Sequence, residues 1–323
     1  MLTSDELAPL AVRYVDTTDA SPQASGTLAL LGFGTRLAED PRALRVPLRP
    51  LGMPMFERWH VVANIACGDD GALHWAAGGG WMFVALDVHE VDHGGSIETA
   101  SEYAYRTLCG FIASRPERHL LRAWNYLHAI NDGAGDAERY RHFCVGRARG
   151  LAALGVEHYP AATAIGHRDA SGLLQIYALC AMQSGQAFEN PRQVSAWRYP
   201  RQYGPTPPSF ARAMKLPRGG VAISGTAAVV GHASQHSSDV EAQVSETCLN
   251  LRALLEVTGS RDFDEASPLK VYLRHTKDAA AVETALAQHL DPRVPRILLP
   301  GDICRGELLV EIDGWSNLPG ATA

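Results

Sequence analysis

Near the end of the chain, ELLVEIDGW (residues 307–315) sets carboxylates into an apolar run. Alternate side chains of a strand share a face. Leu308, Val310 and Ile312 are therefore expected on one face, and Glu307, Leu309, Glu311 and Asp313 on the other. If that second face packs against another layer, burial penalises the charged carboxylate, raises its pKa and makes Glu311 a general acid near neutral pH. If the face is open, the same residues are ordinary solvated carboxylates. Cys304 precedes Glu311 by seven residues. It reads either as a small buried hydrophobe or as a second group beside the acid. No histidine lies close to it in sequence, so the spacing gives a thiolate nucleophile little support.

A second concentration of chemistry lies in QVSAWRYPRQYGPTPPSFARAMKLPRGG (193–220), with Arg198, Tyr199, Arg201, Tyr203 and Arg212. The planar fork of arginine binds carboxylates bidentately, so this stretch is either an anion clamp or a solvated loop with scattered charges. Arg147, in FCVGRARG, belongs to the same choice. His232 and His236 have metal-like spacing, but no acidic or cysteine partner accompanies them, and they read as ordinary loop histidines. Gly78–Gly80 lack the Lys–Ser/Thr of a phosphate loop and the spaced glycines of a dinucleotide turn. No metal and no cofactor is assigned.

The elements that must hold these residues form an approximate internal repeat. In the second half, GGVAISGTAAVVG reads as a strand and SSDVEAQVSETCLNLRALLEVTG as a helix, capped by Ser238 or Asp239 and stopped by Gly259. LKVYLRHT reads as a strand, AAAVETALAQHL as a helix capped by Asp278, and PRILLPGDIC–RG–ELLVEIDGW as a closing hairpin. The first half gives the same order in GGGWMFVALDV, SIETASEYAYRTLCGFIAS, HLLRAWNYLHAI, DAERYRHFCVGRARGLAALG and the hairpin PAATAIGHRDA–SG–LLQIYALCA. The position equivalent to Glu311 falls near Tyr177. The expected fold class is α/β (α+β), with two units, each a mixed β-sheet with two helices packed on one face. The expected boundaries are 1–185 for the first unit with an N-terminal extension, 186–218 for a Pro/Arg/Tyr-rich connection, and 219–323 for the second unit. The strand-like pieces TLALLGFG and WHVVANIAC within residues 1–75 are read as extending the first unit.

The 323 residues are 46% hydrophobic and 20% charged, with a net charge of −6, as for a folded globular protein. An acidic balance argues against nucleic acid or an anionic membrane as partner. The N-terminal residues lack the apolar core of a signal peptide, and no apolar run approaches a membrane span. Six scattered cysteines without a CxxC pair read as reduced thiols in a cytoplasmic protein.

The second unit resembles the reactive-intermediate deaminase superfamily, the YjgF-like fold, through SGTAAVVG, DVEAQVSETCLNLRALLEVTG, LKVYLRHTKDAAAVETALAQHL and ELLVEID. The chain as a whole, from about residue 50 onward, is similar to the chorismatases. The phrases that carry this are LLRAWNYLHAIN, ERYRHFCVGR, NPRQVSAWRYPRQYGPTPPSFARA, ISGTAAVVGH and CRGELLVEID. The resemblance implies cleavage of chorismate to pyruvate and a cyclic acid without metal or organic cofactor, with Glu311 as the catalytic acid. It also implies that Cys304 marks the branch giving 3-hydroxybenzoate. Other branches give a dihydroxycyclohexadiene carboxylate or mixed 3- and 4-hydroxybenzoate. Arg147, Tyr199, Arg201, Tyr203, Arg212 and Thr226 are the candidates for binding the small-molecule substrate. Single-unit relatives form trimers, which leaves a homo-oligomer open. Imine hydrolysis on the same scaffold and a non-catalytic ligand-binding protein remain as competing readings.

Overall fold

The computed structural model describes residues 7–35, 37–155, 159–168 and 172–319. Four strands, β1 (Leu10–Val15), β2 (Thr27–Phe33), β3 (Ala43–Val46) and β4 (Phe56–Val61), form a first sheet in the order β1-β4-β2-β3. A meander of β5 (Ala66–Asp70), β6 (Leu73–Gly78) and β7 (Trp81–His89) opens the first helical unit. It continues through α1 (Ile97–Ala113), β8 (His119–His128), α2 (Arg139–Leu151), β9 (Ala161–His167) and β10 (Leu173–Ala181). The second unit begins with β11 (Gln186–Phe188), β12 (Ala213–Lys215) and β13 (Val221–Ala227), followed by the short pair β14 (Val229–Val230) and β15 (Ala233–Ser234). It ends with α3 (Val240–Thr258), β16 (Leu269–Leu273), α4 (Ala279–Leu286), β17 (Arg296–Pro300), β18 (Asp302–Ile303) and β19 (Val310–Ser316).

The repeat expected from the sequence is present in the sheets. The second sheet runs β18-β9-β8-β10-β7-β6-β5 and the third β11-β12-β13-β19-β16-β17. Counting the core strands of each unit from β7 and from β13, the first pairs antiparallel with the last, the last antiparallel with the second, and the second parallel with the third. Each unit is thus a mixed sheet with two helices, as expected. The first sheet has the same order and directions without helices. The strands β1–β4 are therefore a third copy of the sheet plan, in a sheet separate from that of the first helical unit. The stretch 186–218 likewise supplies two strands to the third sheet, β11 at its edge and β12 next to it.

Neither expected hairpin forms. The last strand of each unit inserts between the first and second strands, so β9 and β10 flank β8, and β17 and β19 flank β16. Asp302–Ile303, placed in the second hairpin by the sequence, leaves the third sheet and pairs as β18 with β9 of the second. The proposed turn at Ser171–Gly172 falls partly on residues 169–171, outside the described residues. The pairing also moves the counterpart of Glu311. Glu311 lies opposite Tyr272 and Gln175 opposite Tyr126, and the two tyrosines begin the matching runs YLHAIND and YLRHTKD. Gln175, not Tyr177, occupies the equivalent position.

Helix ends follow from local chemistry. Asp239 caps α3 by accepting from the Ala242 amide, and Gly259, with φ of 66°, receives the chain in the left-handed conformation that favours glycine. Asp278 makes no side-chain cap for α4, which follows directly from a 3₁₀ turn. On α2, Gly146 and Gly150 face α1, where any Cβ would overlap its backbone or the Tyr105 side chain. This close approach sets Arg147, between them, at a fixed depth.

Helices cover one face of the second and third sheets. The other faces, together with the first sheet, enclose a common core. Trp59, Trp124 and Trp315, one from each sheet, meet there with ring centroids 5.5–5.6 Å apart.

Candidate active site

A cavity of about 390 Å³ opens between the second and third sheets. Its walls come from α2, β9, β13, the 193–212 stretch and the loop 304–308, and Glu311 reaches it from β19. The β13–β19 register shifts between Ile223 and Thr226. Gly225 lies in that irregular stretch, where a Cβ would overlap the Glu311 carboxyl. The absent side chain makes room for that carboxyl.

Glu311 is 4% exposed. Its pKa is pushed up to about 8, chiefly by burial and then by the negative charge of Asp313, against the opposing pull of Arg122 and Arg212. Asp313 is held firmly. Its Oδ2 accepts hydrogen bonds from Trp124 Nε1 at 3.1 Å, Thr163 Oγ1 at 2.7 Å and the Tyr272 hydroxyl at 2.9 Å. Val310 and Ile312 point to the helices, as alternation requires. Leu308, expected with them, joins the inter-sheet core instead because β19 begins only at Val310.

Cys304 is half-buried and lines the same cavity. Burial, then the nearby Glu311 carboxyl, pushes its thiol up to about 12, so it stays un-ionised. Arg274 fixes this loop by donating to the carbonyls of Ile303, Arg305 and Leu308, each at 2.9 Å. Cys144 from α2 is a second thiol on the cavity wall, also pushed up to about 12 by burial.

Arg147 and Arg212 line the cavity and are 3% and 5% exposed. Arg147 Nη1 donates to the Ser209 carbonyl at 2.6 Å, while its Nε and Nη2 have no partner. Arg212 Nη2 donates to the Tyr199 hydroxyl at 2.6 Å and the Val194 carbonyl at 3.0 Å, and its Nε is unpaired. Buried cations with unused N–H groups are built to receive an anion. Tyr199 and Tyr203 form an adjoining wall, with the Arg305 guanidinium 4.0 Å from the Tyr203 ring centroid. Among the described residues, no group of three or more His, Cys, Asp or Glu side chains is placed to hold a metal ion. Nor is any helix among them long and apolar enough to cross a membrane.

Two candidates lie elsewhere. Arg201 is absent from the lining and forms a bidentate pair with Asp136, at 2.8 and 2.5 Å, on the exposed surface. Thr226 pairs with Ile312, the residue that faces the helices, and its hydroxyl donates to the Ser224 carbonyl. The neighbouring Gly225 and Ala227 line the cavity in its place.

A 3-hydroxybenzoate synthase from Streptomyces hygroscopicus is 33% identical over 284 residues, covering 82% of each chain. The chain belongs to the chorismatase family. A chorismatase from Streptomyces rapamycinicus is 34% identical over 278 residues, 80% of this chain and 81% of the relative. A chorismatase crystal structure superposes with a TM-score of 0.85 at 30% identity, covering 97% of this chain and all of the other. Residues 57–180 match the family described as chorismatase FkbO/Hyg5-like, N-terminal.

In this chorismatase-family enzyme the cavity also has walls that residue spacing did not single out: Asn125, Tyr140, Thr163, Gln193 and Phe210. Asn125 donates to the Thr163 carbonyl and accepts from Tyr105, whose ring lies beneath the Arg147 guanidinium. The run LLRAWNYLHAIN that carried part of the resemblance contains Asn125, which was the available signal for it.

Proposed function

We propose that this enzyme cleaves chorismate to pyruvate and 3-hydroxybenzoate, with Glu311 as the acid that protonates the terminal methylene of the enolpyruvyl ether. The observation that carries the reading is a carboxyl kept protonated up to about pH 8 in a cavity that also presents two buried arginines with free N–H groups. Chorismate carries two carboxylates, which Arg147 and Arg212 would receive. Protonation of the methylene gives an oxocarbenium ion and leaves Glu311 as carboxylate. Capture by the neighbouring ring hydroxyl, with loss of its proton to Glu311, restores the acid and ties the pyruvyl carbon to the ring. Breaking the pyruvyl carbon's bond to the original ether oxygen and the ring carbon's bond to the captured oxygen releases pyruvate, with that second oxygen as its carbonyl. Loss of a ring proton, with protonation of the remaining ring oxygen, gives the aromatic acid. The atoms of chorismate then divide between the two products with no net water. Water capture instead gives the cyclohexadiene diol, so exclusion of water by the Cys304–Cys144 wall favours the aromatic product.

The test is incubation of the purified protein with chorismate, with pyruvate assayed and the cyclic acids separated by chromatography. Equal amounts of pyruvate and 3-hydroxybenzoate are expected. Diol as the main product overturns the branch assignment, and absence of pyruvate overturns the reaction.

A further inference from the structure

The space between the three sheets holds more charge than the proposed chemistry uses. Glu57 on β4, Arg122 on β8, Lys270 on β16 and Asp313 on β19 are completely buried. Lys270 Nζ lies 2.7 Å from Glu57 and 3.5 Å from Asp313, and Arg122 Nη2 lies 3.4 Å from Asp313. Two cations therefore balance two carboxylates without Glu311. No ion pair or hydrogen bond reaches Glu311 among the described residues, although it sits two positions from Asp313 on the same strand face.

We propose that this balanced network positions the proton of Glu311: its cations are ion-paired with its own carboxylates, and Glu311 is left without an ion pair of its own. Asp313 and Glu57 are then positioning residues that act through Glu311, and the inference rests on Glu311 being the acid.

Of the other groups around Glu311, Arg212 draws it towards the carboxylate, but burial and Asp313 outweigh that pull. Tyr126 on β8, Tyr177 on β10, Tyr272 on β16, and Tyr140 and Cys144 on α2 are all raised by burial and remain neutral, as does Cys304. Arg212, ahead of β12, is turned towards Tyr199 and Val194. Arg147 on α2 is tied to Ser209 and lies over Tyr105. Thr163 on β9 bridges Arg122 to Asp313, accepting from the first and donating to the second.

Glu57 is the informative site because it belongs to the first sheet and is not part of the cavity lining. Glu57→Gln retains an acceptor for Trp59 Nε1, which donates to Glu57 Oε1 at 2.7 Å, but leaves Lys270 in excess. Two measurements read the result: an infrared carboxyl titration taken as a difference against Glu311→Gln, and the pH profile of kcat/KM. The active form is protonated, so kcat/KM falls as pH rises through the Glu311 pKa. Removing one negative charge lowers that pKa, and both the titration and the alkaline limb should move down by at least about one unit. That predicts a loss of roughly fivefold at pH 8 and little change at pH 6. A purely structural role would lower activity at every pH and leave the titration in place.

The double variant Glu57→Gln/Lys270→Met removes one charge of each sign and should titrate within about 0.3 unit of the parent. An unmoved titration in folded Glu57→Gln, or a double variant displaced by a full unit, overturns the network. If the single variant does not fold, Lys270→Met alone decides: it leaves a carboxylate in excess and should move the titration up, and an unmoved titration overturns the network. A titration that moves while the rate limb stays put supports the network and overturns Glu311 as the acid.

Discussion

The Cys304 thiol, with its pKa pushed up to about 12, is no nucleophile at neutral pH. What it offers the cavity is volume and an un-ionised S–H beside Glu311. Cys304→Ala opens space on that wall for water. It is expected to keep pyruvate release while the other product shifts from 3-hydroxybenzoate towards the diol, as chromatography of the acids would show. The carboxyl itself has a stability signature. Its folded-state pKa, about 8, lies above the ordinary unfolded value, so between roughly pH 4.5 and 8 the folded state holds a proton that the unfolded state releases. Stability contributed by this group is full below that window and is lost as pH rises through it. Glu311→Gln removes the penalty, and thermal unfolding should show the variant more stable than the parent at pH 8, by on the order of a few kcal/mol, with the gap closing near pH 4.5.

At the scale of elements, the 193–212 stretch divides into a part that faces the cavity and a part that faces water. Arg212 and, from α2, Arg147 are buried on the cavity, while Arg201 is exposed and paired to Asp136. In a Glu311→Gln background, calorimetry should show Arg147→Ala or Arg212→Ala weakening chorismate binding by about 2–4 kcal/mol, and Arg201→Ala changing it little. Equal losses from all three would remove the distinction. Sequence pattern separated the helices and strands because Val240, Val244, Cys248, Leu251 and Leu255 mark one helix face, and because Val310 and Ile312 alternate with Glu311 and Asp313. Pairing partners were not legible. Two apolar strands joined by a Gly-containing turn look like a hairpin whether or not a third strand lies between them, and that error affected both units. Thr226, a candidate through the resemblance alone, turns away from the cavity, because the irregularity between Ile223 and Thr226 sets which side chains of β13 face inward. Arg201 and Arg212 carry the same chemistry in sequence, and only the fold distinguishes them.

Across the whole molecule, three sheets close on one another, two with helices and one without. The proposed acid comes from the third sheet, Thr163 from the second, Arg147 from the helix α2 that covers the second, and Glu57 from the first. The first sheet was the least legible part, since without helices nothing in its spacing announces another copy of the unit. From it, Trp59 packs against Phe83, Trp124, Tyr177 and Trp315 of the other two. Trp59→Ala should destabilise the fold by about 3–5 kcal/mol in urea unfolding. A change below about 1 kcal/mol would mean that the first sheet is dispensable to the core.

The proton on Glu311 joins these scales, and its removal is the most direct probe. Single-turnover kinetics of Glu311→Gln with chorismate, followed by pyruvate release, should show at least about a hundredfold slower chemistry with substrate binding retained. Near-normal pyruvate release from that variant would contradict Glu311 as the proton donor.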